Sequence, residues 1–321
     1  MQIVKIIAFS TCLHSVLAYP QPSSTTSTPV PYSTIYQFNQ TGAWVENIAV
    51  RSNGNLLVSR LDVPELWEIP PFALSKASLI HHFSNVDGLF GISEYAPDVF
   101  GVITGNFTLT SASTPGTYSV WTADFNHAPK VAISKITDIP EGGLLNGLTT
   151  FSTHPPTLLA SDSTAGEVYK VDVRSREYSV VLKDASMNAI AGSSVSIGIN
   201  GVRYAKPYLY YTNFDEGTLN RVRLSDDATA AGPYTVIAHN TTFADDFALA
   251  DDGTAYVCGN SVNTLYRVSR GGGVEVVLGG VNETTVSAPT SVQFGRTRKD
   301  KGTLYVVGGA GEVLAVDVGR K

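Results

Sequence analysis

The chain has 321 residues, of which 43% are hydrophobic and 16% are charged, and its formal net charge is −6. Such a composition predicts a large, well-buried, β-rich domain and argues against a disordered chain. No run of Lys and Arg is longer than two residues, so the sequence lacks the basic footprint of a nucleic-acid-binding protein.

The N-terminal segment, MQIVKIIAFSTCLHSVLAYP, has the pattern of a signal peptide, with Lys5, an apolar run that ends at Leu17, and Ala18 before the cleavage point. The alternative is a first buried strand, but the Ser/Thr/Pro-rich stretch that follows leads into no core. The apolar run is too short to span a membrane. We therefore predict a signal peptide over residues 1–18, a linker over residues 19–31, and a secreted protein or one of the secretory pathway.

From residue 32 onward, short runs of alternating apolar residues end at Asn-Gly, Asp-Gly or Gly-Gly turns, which is typical of strands joined in hairpins. Related strand–turn–strand stretches recur along the chain, separated by about 41 to 59 residues. They begin at Glu46, Asp87, Asn146, Asn200, Asp245 and Thr290. This spacing matches one four-stranded propeller blade.

We therefore predict an all-β, six-bladed β-propeller over residues 32–321, in which the stretch YSTIYQF at Tyr32 completes the last blade and joins the two ends of the chain. A β-sandwich is the alternative fold. It does not require the same motif to recur at this period, so the propeller is favoured.

The residues that open the repeats predict a shared polar site, because the first strand of every blade lines the central channel. On this geometry four side chains meet at one channel mouth: Glu46, Asn146, Asn200 and Asp245. Their oxygen atoms are hard ligands that suit Ca²⁺ or another divalent metal. The alternative is that these residues only form turns and cap strand ends.

Aromatic residues near the strand ends predict a hydrophobic pocket for small molecules. The candidates are Trp44, Trp67, Phe90, Phe151 and Phe214. Candidate hydrogen-bond donors for a bound substrate are Arg60, His81 and Asn213. The alternative for each aromatic residue is a place in the core between blades.

Cleavage after Ala18 would remove Cys12 and leave Cys258 in an apolar strand, where a lone cysteine is usually a small core residue. Sequons permit N-glycosylation at four positions. These are Asn39, Asn106, Asn240 and Asn282. No serine-hydrolase elbow, zinc-protease motif, paired-cysteine motif or Walker loop occurs. We expect a monomer or small homo-oligomer that binds small hydrophobic molecules, with no nucleic-acid partner and no membrane span.

Two blades carry a specific family resemblance. The stretches NGVRYAKPYLYYTNFDEGTLNRVRL and DDFALADDGTAYVCG resemble blades of the SMP-30/gluconolactonase/strictosidine-synthase-like propellers. The resemblance implies a metal site made of Glu46, Asn146, Asn200 and Asp245. The sequence departs from the family pattern at Asp246, where the family has Gly beside its ligand Asp, so either aspartate could be the one presented.

The opening stretch WVENIAVRSNGNLLVSRLDVPELW is similar to a fungal subgroup that accompanies secondary-metabolite pathways and includes the hetero-Diels–Alderases of tropolone–sesquiterpenoid biosynthesis. This resemblance implies an enzyme that joins a tropolone quinone methide to a humulene-type alkene and needs no cofactor. A divalent-metal-dependent lactonohydrolase and a non-catalytic small-molecule-binding propeller are the alternatives.

Overall fold

The computed structural model describes residues 30–72, 77–108, 112–127 and 129–319. The predicted signal peptide, and the predicted linker up to residue 29, lie outside the described residues. Within the described residues the chain is all-β, and six separate four-stranded antiparallel sheets form the six blades of a propeller. The predicted fold class is therefore confirmed, and the β-sandwich is excluded.

The strands run outward from the channel in chain order within each of the first five blades. The first blade contains β2 (Val45–Val50), β3 (Leu56–Arg60), β4 (Glu65–Ile69) and β5 (Ser78–His82). The second contains β6 (Gly88–Ala96), β7 (Val99–Gly105), β10 (Ser119–Asp124) and β11 (Ala132–Asp138). The third contains β12 (Leu145–Thr153), β13 (Pro156–Asp162), β14 (Glu167–Asp172) and β15 (Tyr178–Lys183). A small hairpin of β8 (Phe107–Thr108) and β9 (Ala112–Ser113) projects from the second blade.

The other three blades complete the ring. The fourth blade contains β16 (Ile199–Ala205), β17 (Tyr208–Asn213), β18 (Thr218–Arg223) and β19 (Thr235–Ala238). The fifth contains β20 (Ala244–Leu249), β21 (Ala255–Gly259), β22 (Thr264–Val268) and β23 (Val274–Gly279). The sixth contains β24 (Pro289–Phe294), β25 (Thr303–Gly308), β26 (Glu312–Asp317) and β1 (Tyr32–Gln37). The described residues include two single-turn 3₁₀ helices, Ala185–Met187 and Asn260–Val262. No described helix has the length and apolar character to cross a membrane.

Among the described strands, β1 comes first and closes the ring, as the sequence predicts. β1 pairs with β26 in antiparallel register, with Tyr32 opposite Val316 and Gln37 opposite Glu312. Just beyond β1, the backbone N–H of Phe38 donates to the carbonyl of Gly311 over 2.9 Å. This pairing covers the edge that β26 would otherwise expose.

The six inner strands contact one another in a closed ring around the channel. Glycines allow this close approach, because a Cβ on Gly147 would lie 2.5 Å from the carbonyl oxygen of Asn200, and one on Gly91 would lie 2.6 Å from that of Asn146. The Asn-Gly pairs that open the third and fourth blades are thus packing features, in addition to any turn they form.

Candidate functional site

Each inner strand has a shift of register near its start, and the polar residues predicted from the repeats lie in these irregularities. In β12 the shift falls between Leu145 and Leu148, and in β16 between Ile199 and Val202. Such bulges re-aim side chains and are common beside binding sites. The equivalent position in all six blades is held by Glu46, Phe90, Asn146, Asn200, Asp245 and Thr290.

The second blade differs from the sequence-based alignment. The sequence repeat predicts that Asp87 is equivalent to Asn146, but the strand register makes Phe90 the equivalent of Asn146. Asp87 precedes β6 and lies on the wall of a neighbouring cavity. The reason is that Asp87-Gly88 resembles an Asn-Gly pair in sequence, whereas the dipeptide that occupies the bulge of β6 is Phe90-Gly91.

We call Glu46, Asn146, Asn200 and Asp245 the mouth quartet. All four residues are buried. The carboxylate of Glu46 accepts a hydrogen bond of 2.7 Å from the indole N–H of Trp44. Burial raises the pKa of Glu46 to about 7, the Trp44 hydrogen bond opposes that rise, and the negative charge of Asp246 adds to it.

Asp245 lies in the same electrostatic environment. Burial raises its pKa well above the usual range, and the charges of Glu46 and Asp246 raise it further. Hydrogen bonds from Asn260, whose Nδ2 is 3.0 Å from Oδ2, and from Asn200 act in the opposite direction. The mouth therefore holds two buried carboxyl groups that disfavour each other's ionised form.

The residues of the mouth quartet fit a divalent cation. The Oδ1 atom of Asn200 is buried and accepts no hydrogen bond from any described residue. A cation would satisfy this oxygen and offset the repulsion between Glu46 and Asp245. No group of three or more His, Cys, Asp or Glu side chains in the described part of the chain is arranged to hold a metal, so a metal here would depend on the carboxamide oxygens of Asn146 and Asn200.

Asp246 has a different role from its neighbour. Its Oδ2 atom accepts hydrogen bonds from Asn47 at 3.0 Å, from Ser291 at 2.7 Å and from the guanidinium of Arg203 at 2.6 Å. These hydrogen bonds hold the Asp246 side chain deeper in the channel than the mouth quartet. Of the two aspartates, Asp245 is thus the one at the quartet position.

A cavity of about 410 Å³ lies beside the mouth quartet, between the first two blades. Trp44 lines this cavity and also donates its indole N–H to Glu46 of the quartet. We call it the Trp44 cavity. It is lined by Gly42, Trp44, Leu61, Asp62, Pro64, Val86, Asp87, Phe107 and Thr108. The volume falls in the range of roughly 300–1,000 Å³ that small-molecule sites occupy. Sequence reasoning found Trp44 but missed Phe107, because the β8–β9 hairpin interrupts the repeat and leaves no periodic signal.

Trp44 is held at both ends. Its backbone N–H donates to Oδ1 of Asp62 over 2.9 Å, while its indole N–H donates to Glu46. Asp62 is itself fixed by Arg60, whose Nε donates to Oδ1 over 2.8 Å. The indole is therefore a pre-positioned aromatic wall of the cavity.

The other predicted pocket aromatics are spread through the propeller. Phe90 is in the core behind the cavity, with ring centroids 6.3 Å from Phe107. Trp67 packs edge-on against Phe38. The Phe151 ring packs at a tilt against that of Tyr204, with centroids 4.8 Å apart, towards the end of β12 that is far from the quartet. Phe214 packs at 5.4 Å against Phe243 near the start of β16. The structure thus brings only Trp44 of the predicted five to the cavity wall.

The three predicted donors do not converge. Arg60 is buried in its ion pair with Asp62 and lies over the Phe38 ring. Asn213 donates to the carbonyls of Ser186 at 3.0 Å and Asn188 at 2.8 Å. His81 is on β5, the outermost strand of the first blade, where burial and the neighbouring His82 lower its pKa. Their role as catalytic donors stays a prediction.

Three of the four sequon asparagines are exposed: Asn39, Asn240 and Asn282. Asn106 is half-buried, and its Oδ1 accepts the backbone N–H of Asp87 over 3.1 Å. Glycosylation at these positions stays a prediction. Cys258 is a buried free cysteine, as expected of a core residue.

Fold and site together define a six-bladed propeller with a polar channel mouth beside an apolar cavity. The chain is 28% identical, over 94% of its own length and 93% of the relative's, to a protein of Phoma sp. named "Putative hetero-Diels-Alderase". It is 29% identical, over 87% of its length and 78% of the relative's, to "Putative hetero-Diels-Alderase asR5" of Sarocladium schorii. The resemblance to a propeller group that includes hetero-Diels–Alderases is thus confirmed.

No family model matches the chain. Among solved structures, a protein of unknown function from Bacteroides thetaiotaomicron VPI-5482 superposes with a TM-score of 0.66 at 13% identity, covering 89% of this chain and 75% of that one. At this level of identity the likeness concerns the fold alone.

Proposed function

We propose that the protein is a cyclase of secondary metabolism that directs a hetero-Diels–Alder reaction between a quinone methide and an alkene. The observation that carries the proposal is the similarity, over most of both chains, to two proteins named as hetero-Diels–Alderases. The reaction class suits a chain whose cavity is mainly apolar and whose sequence contains no hydrolase or nucleophile motif.

The chemistry asks little of the protein beyond shape and orientation. The C=C–C=O heterodiene of the quinone methide and the C=C bond of the alkene form one C–C and one C–O bond, no atom leaves, and no electron is gained or lost. Holding both partners in a near-attack arrangement supplies most of the acceleration for such a reaction.

The Trp44 cavity provides the surfaces for this arrangement. A planar tropolone-type quinone methide would stack on the indole of Trp44, and the apolar side chains of Leu61, Val86 and Phe107 would hold the hydrocarbon partner. Because two hydrogen bonds fix Trp44, the first partner would be oriented before the second one enters. That order would favour one stereochemical outcome.

The test compares two tryptophans in similar settings. Trp44 and Trp67 both donate an indole N–H to a glutamate two residues away, Glu46 and Glu65, but only Trp44 lines the cavity. We expect Trp44→Phe to slow cycloaddition by on the order of 10-fold to 100-fold and to erode its stereoselectivity. Trp67→Phe should keep both.

The assay uses purified mature protein with a tropolone quinone-methide precursor and a humulenol-like alkene, and it records the product ratio by chiral chromatography. A wild-type protein that changes neither rate nor stereochemistry would overturn the proposal. Tight substrate binding without turnover would instead favour the non-catalytic binding propeller.

The mouth quartet supports a second candidate, a divalent-metal-dependent lactonohydrolase. The specific observation is the buried, unpartnered Oδ1 of Asn200 beside two carboxyl groups. A bound divalent metal would supply Lewis acidity for hydrolysis. Glu46, Asn146, Asn200 and Asp245 would hold it.

Metal analysis of the mature protein, combined with the melting temperature before and after chelation, tests this candidate. We expect one tightly held divalent ion per chain, a lower melting temperature after chelation, and loss of both effects in Glu46→Ala and Asn200→Ala. The control is Asp138→Asn, which alters an exposed carboxylate on an outer strand. Lactone hydrolysis that persists after chelation would exclude the metal-dependent mechanism.

A further inference from the structure

A second cavity, of about 420 Å³, lies at the opposite mouth of the channel. We call it the Arg203 cavity. The inner strands of all six blades contribute to its wall, with Val50, Glu94, Thr149, Arg203, Leu249 and Phe294 as one residue from each. These residues lie towards the ends of the inner strands, whereas the mouth quartet lies at their starts. The two cavities are therefore separate.

The Arg203 cavity has a surplus of positive charge. Its wall contains Arg203, Arg296 and Lys301 but only one carboxylate, Glu94. The charge of Arg203 is neutralised by its ion pair with Asp246, and that of Arg296 by its ion pair with Glu94. Lys301 forms no ion pair with any carboxylate in the described part of the chain. One uncompensated positive charge remains at the rim.

Arg203 itself has an unused donor. Its Nη1 donates to the carbonyl of Val202 over 2.8 Å and its Nη2 to Asp246, while its Nε, like Oδ1 of Asp246, is buried with no partner among the described residues. A buried N–H without an acceptor destabilises a site until a ligand or water supplies one. A guanidinium prefers a planar oxyanion with two oxygens.

Hydrogen bonds of Arg296 fix the rim of the Arg203 cavity to neighbouring blades. Arg296 donates to the carbonyl of Val50 over 2.8 Å and is also bonded to Glu94. These contacts tie the loop after β24 to the first and second blades. The floor and walls are apolar, with Ala49, Ile92, Leu148, Leu249 and Phe294 among them.

We infer that the Arg203 cavity binds a small monocarboxylic acid with an apolar body. Its carboxylate would lie between Arg203 and Lys301, and its hydrocarbon part would contact the apolar wall. A single charge matches the one uncompensated cation, so a phosphate dianion fits less well. This inference is independent of the proposed cyclase function, because it concerns the other mouth and needs no turnover.

Isothermal titration calorimetry of the full chain with naphthoate, naphthamide and naphthyl phosphate tests the inference. The three probes share one apolar body and differ in charge. We expect naphthoate to bind one to one, and naphthamide to bind at least ~10-fold more weakly because it lacks the charge that meets the arginine. Naphthyl phosphate should bind more weakly than naphthoate. Since no cyclase substrate is present, failure here and failure of the proposed function are distinguishable.

Matched variants locate the site. Lys301→Gln should weaken naphthoate binding ~3-fold, as expected for loss of an exposed charge. Lys299→Gln should leave it unchanged, because Lys299 is two residues away and lies over Phe72 instead of lining the cavity. The double variant Arg203→Gln/Asp246→Asn removes both members of the buried pair, avoids an unpaired charge, and should weaken binding at least ~10-fold.

Three results would overturn the inference. Naphthoate does not bind; naphthamide or naphthyl phosphate binds as tightly as naphthoate; or the Lys301→Gln protein and the double variant both keep the wild-type affinity for naphthoate.

Discussion

Glu46 illustrates how much of the mouth chemistry depends on single residues. It is the only glutamate in the ring of six equivalent positions, and Trp44 reaches it from two residues away. Its carboxyl group is buried beside Asp245 and Asp246, so its ionised form is disfavoured. The same residue thus fixes the aromatic wall of the Trp44 cavity and, together with Asp245, sets the charge of the mouth.

A pH dependence of stability follows from this environment. The folded pKa of Glu46, about 7, is above the ordinary 4.5, so the contribution of Glu46 is fully present below the unfolded value and is lost as the pH rises through the folded one. Asp245 shifts in the same direction. In chelator-treated protein we expect the free energy of unfolding to fall between about pH 5 and pH 8, by on the order of 3 kcal/mol for Glu46.

Urea unfolding at a series of pH values measures this effect, with Glu46→Gln as the comparison. Gln keeps an acceptor for the Trp44 indole but cannot ionise, so its profile should be flatter. A wild-type protein whose stability rises over this range, or a variant with an identical slope, would contradict the prediction.

The residues that open the repeats could be predicted from sequence, but their partners could not. The recurring motif is enough to place Glu46, Asn146, Asn200 and Asp245 at equivalent positions. The choice between Asp245 and Asp246 depends on Asn47 and Ser291. Asn47 is 199 residues away along the chain, and no local pattern encodes such a contact.

At the level of elements, the inner strands combine a bulge with close packing. The bulge turns the quartet side chains towards one another, and in the second, third and fourth blades a glycine at the next position lets the neighbouring strand approach. The Asn-Gly dipeptides read as turn signals in the sequence, yet here Gly147 and Gly201 are inside strands. The β8–β9 hairpin could not be predicted from the repeat, because it is an insertion with no counterpart in the other blades.

Gly147→Ala tests the packing role. The added methyl would lie 2.5 Å from the carbonyl of Asn200 and 3.0 Å from Val202 N and from Ser161 Oγ, so we expect a loss of about 1–3 kcal/mol in the free energy of unfolding from overpacking. Because Asn146 and Asn200 would shift apart, any metal or substrate affinity at the mouth should fall as well.

The control for this variant is Gly271→Ala, where a Cβ would meet nothing within 4 Å. It should change stability by less than about 0.5 kcal/mol. Equal stability of the two variants in urea unfolding would show that the inner strands accommodate a methyl group at position 147, and would contradict the packing role of Gly147.

At the scale of the whole molecule, closure of the ring decides whether both mouths exist. Each mouth is built from several blades: the quartet from four of them, and the Arg203 cavity from all six. The sequence indicates this closure through a strand that precedes the first repeat. It does not reveal which mouth has which cavity, because the side chains that line each one come from distant parts of the chain.

The closing strand gives the last prediction. A chain that begins at Val30 keeps β1, whereas one that begins at Phe38 leaves β26 as an exposed edge and loses the packing of Ile35 and Tyr36 on the core between the first and last blades. We expect the shorter chain to melt at least ~10 °C lower, since several kcal/mol of pairing and burial are lost, and to aggregate through its open edge. Thermal unfolding with light scattering compares the two chains directly. The same melting temperature and solubility for both would mean that the ring holds without β1, and that the mouths are maintained by contacts between the inner strands alone.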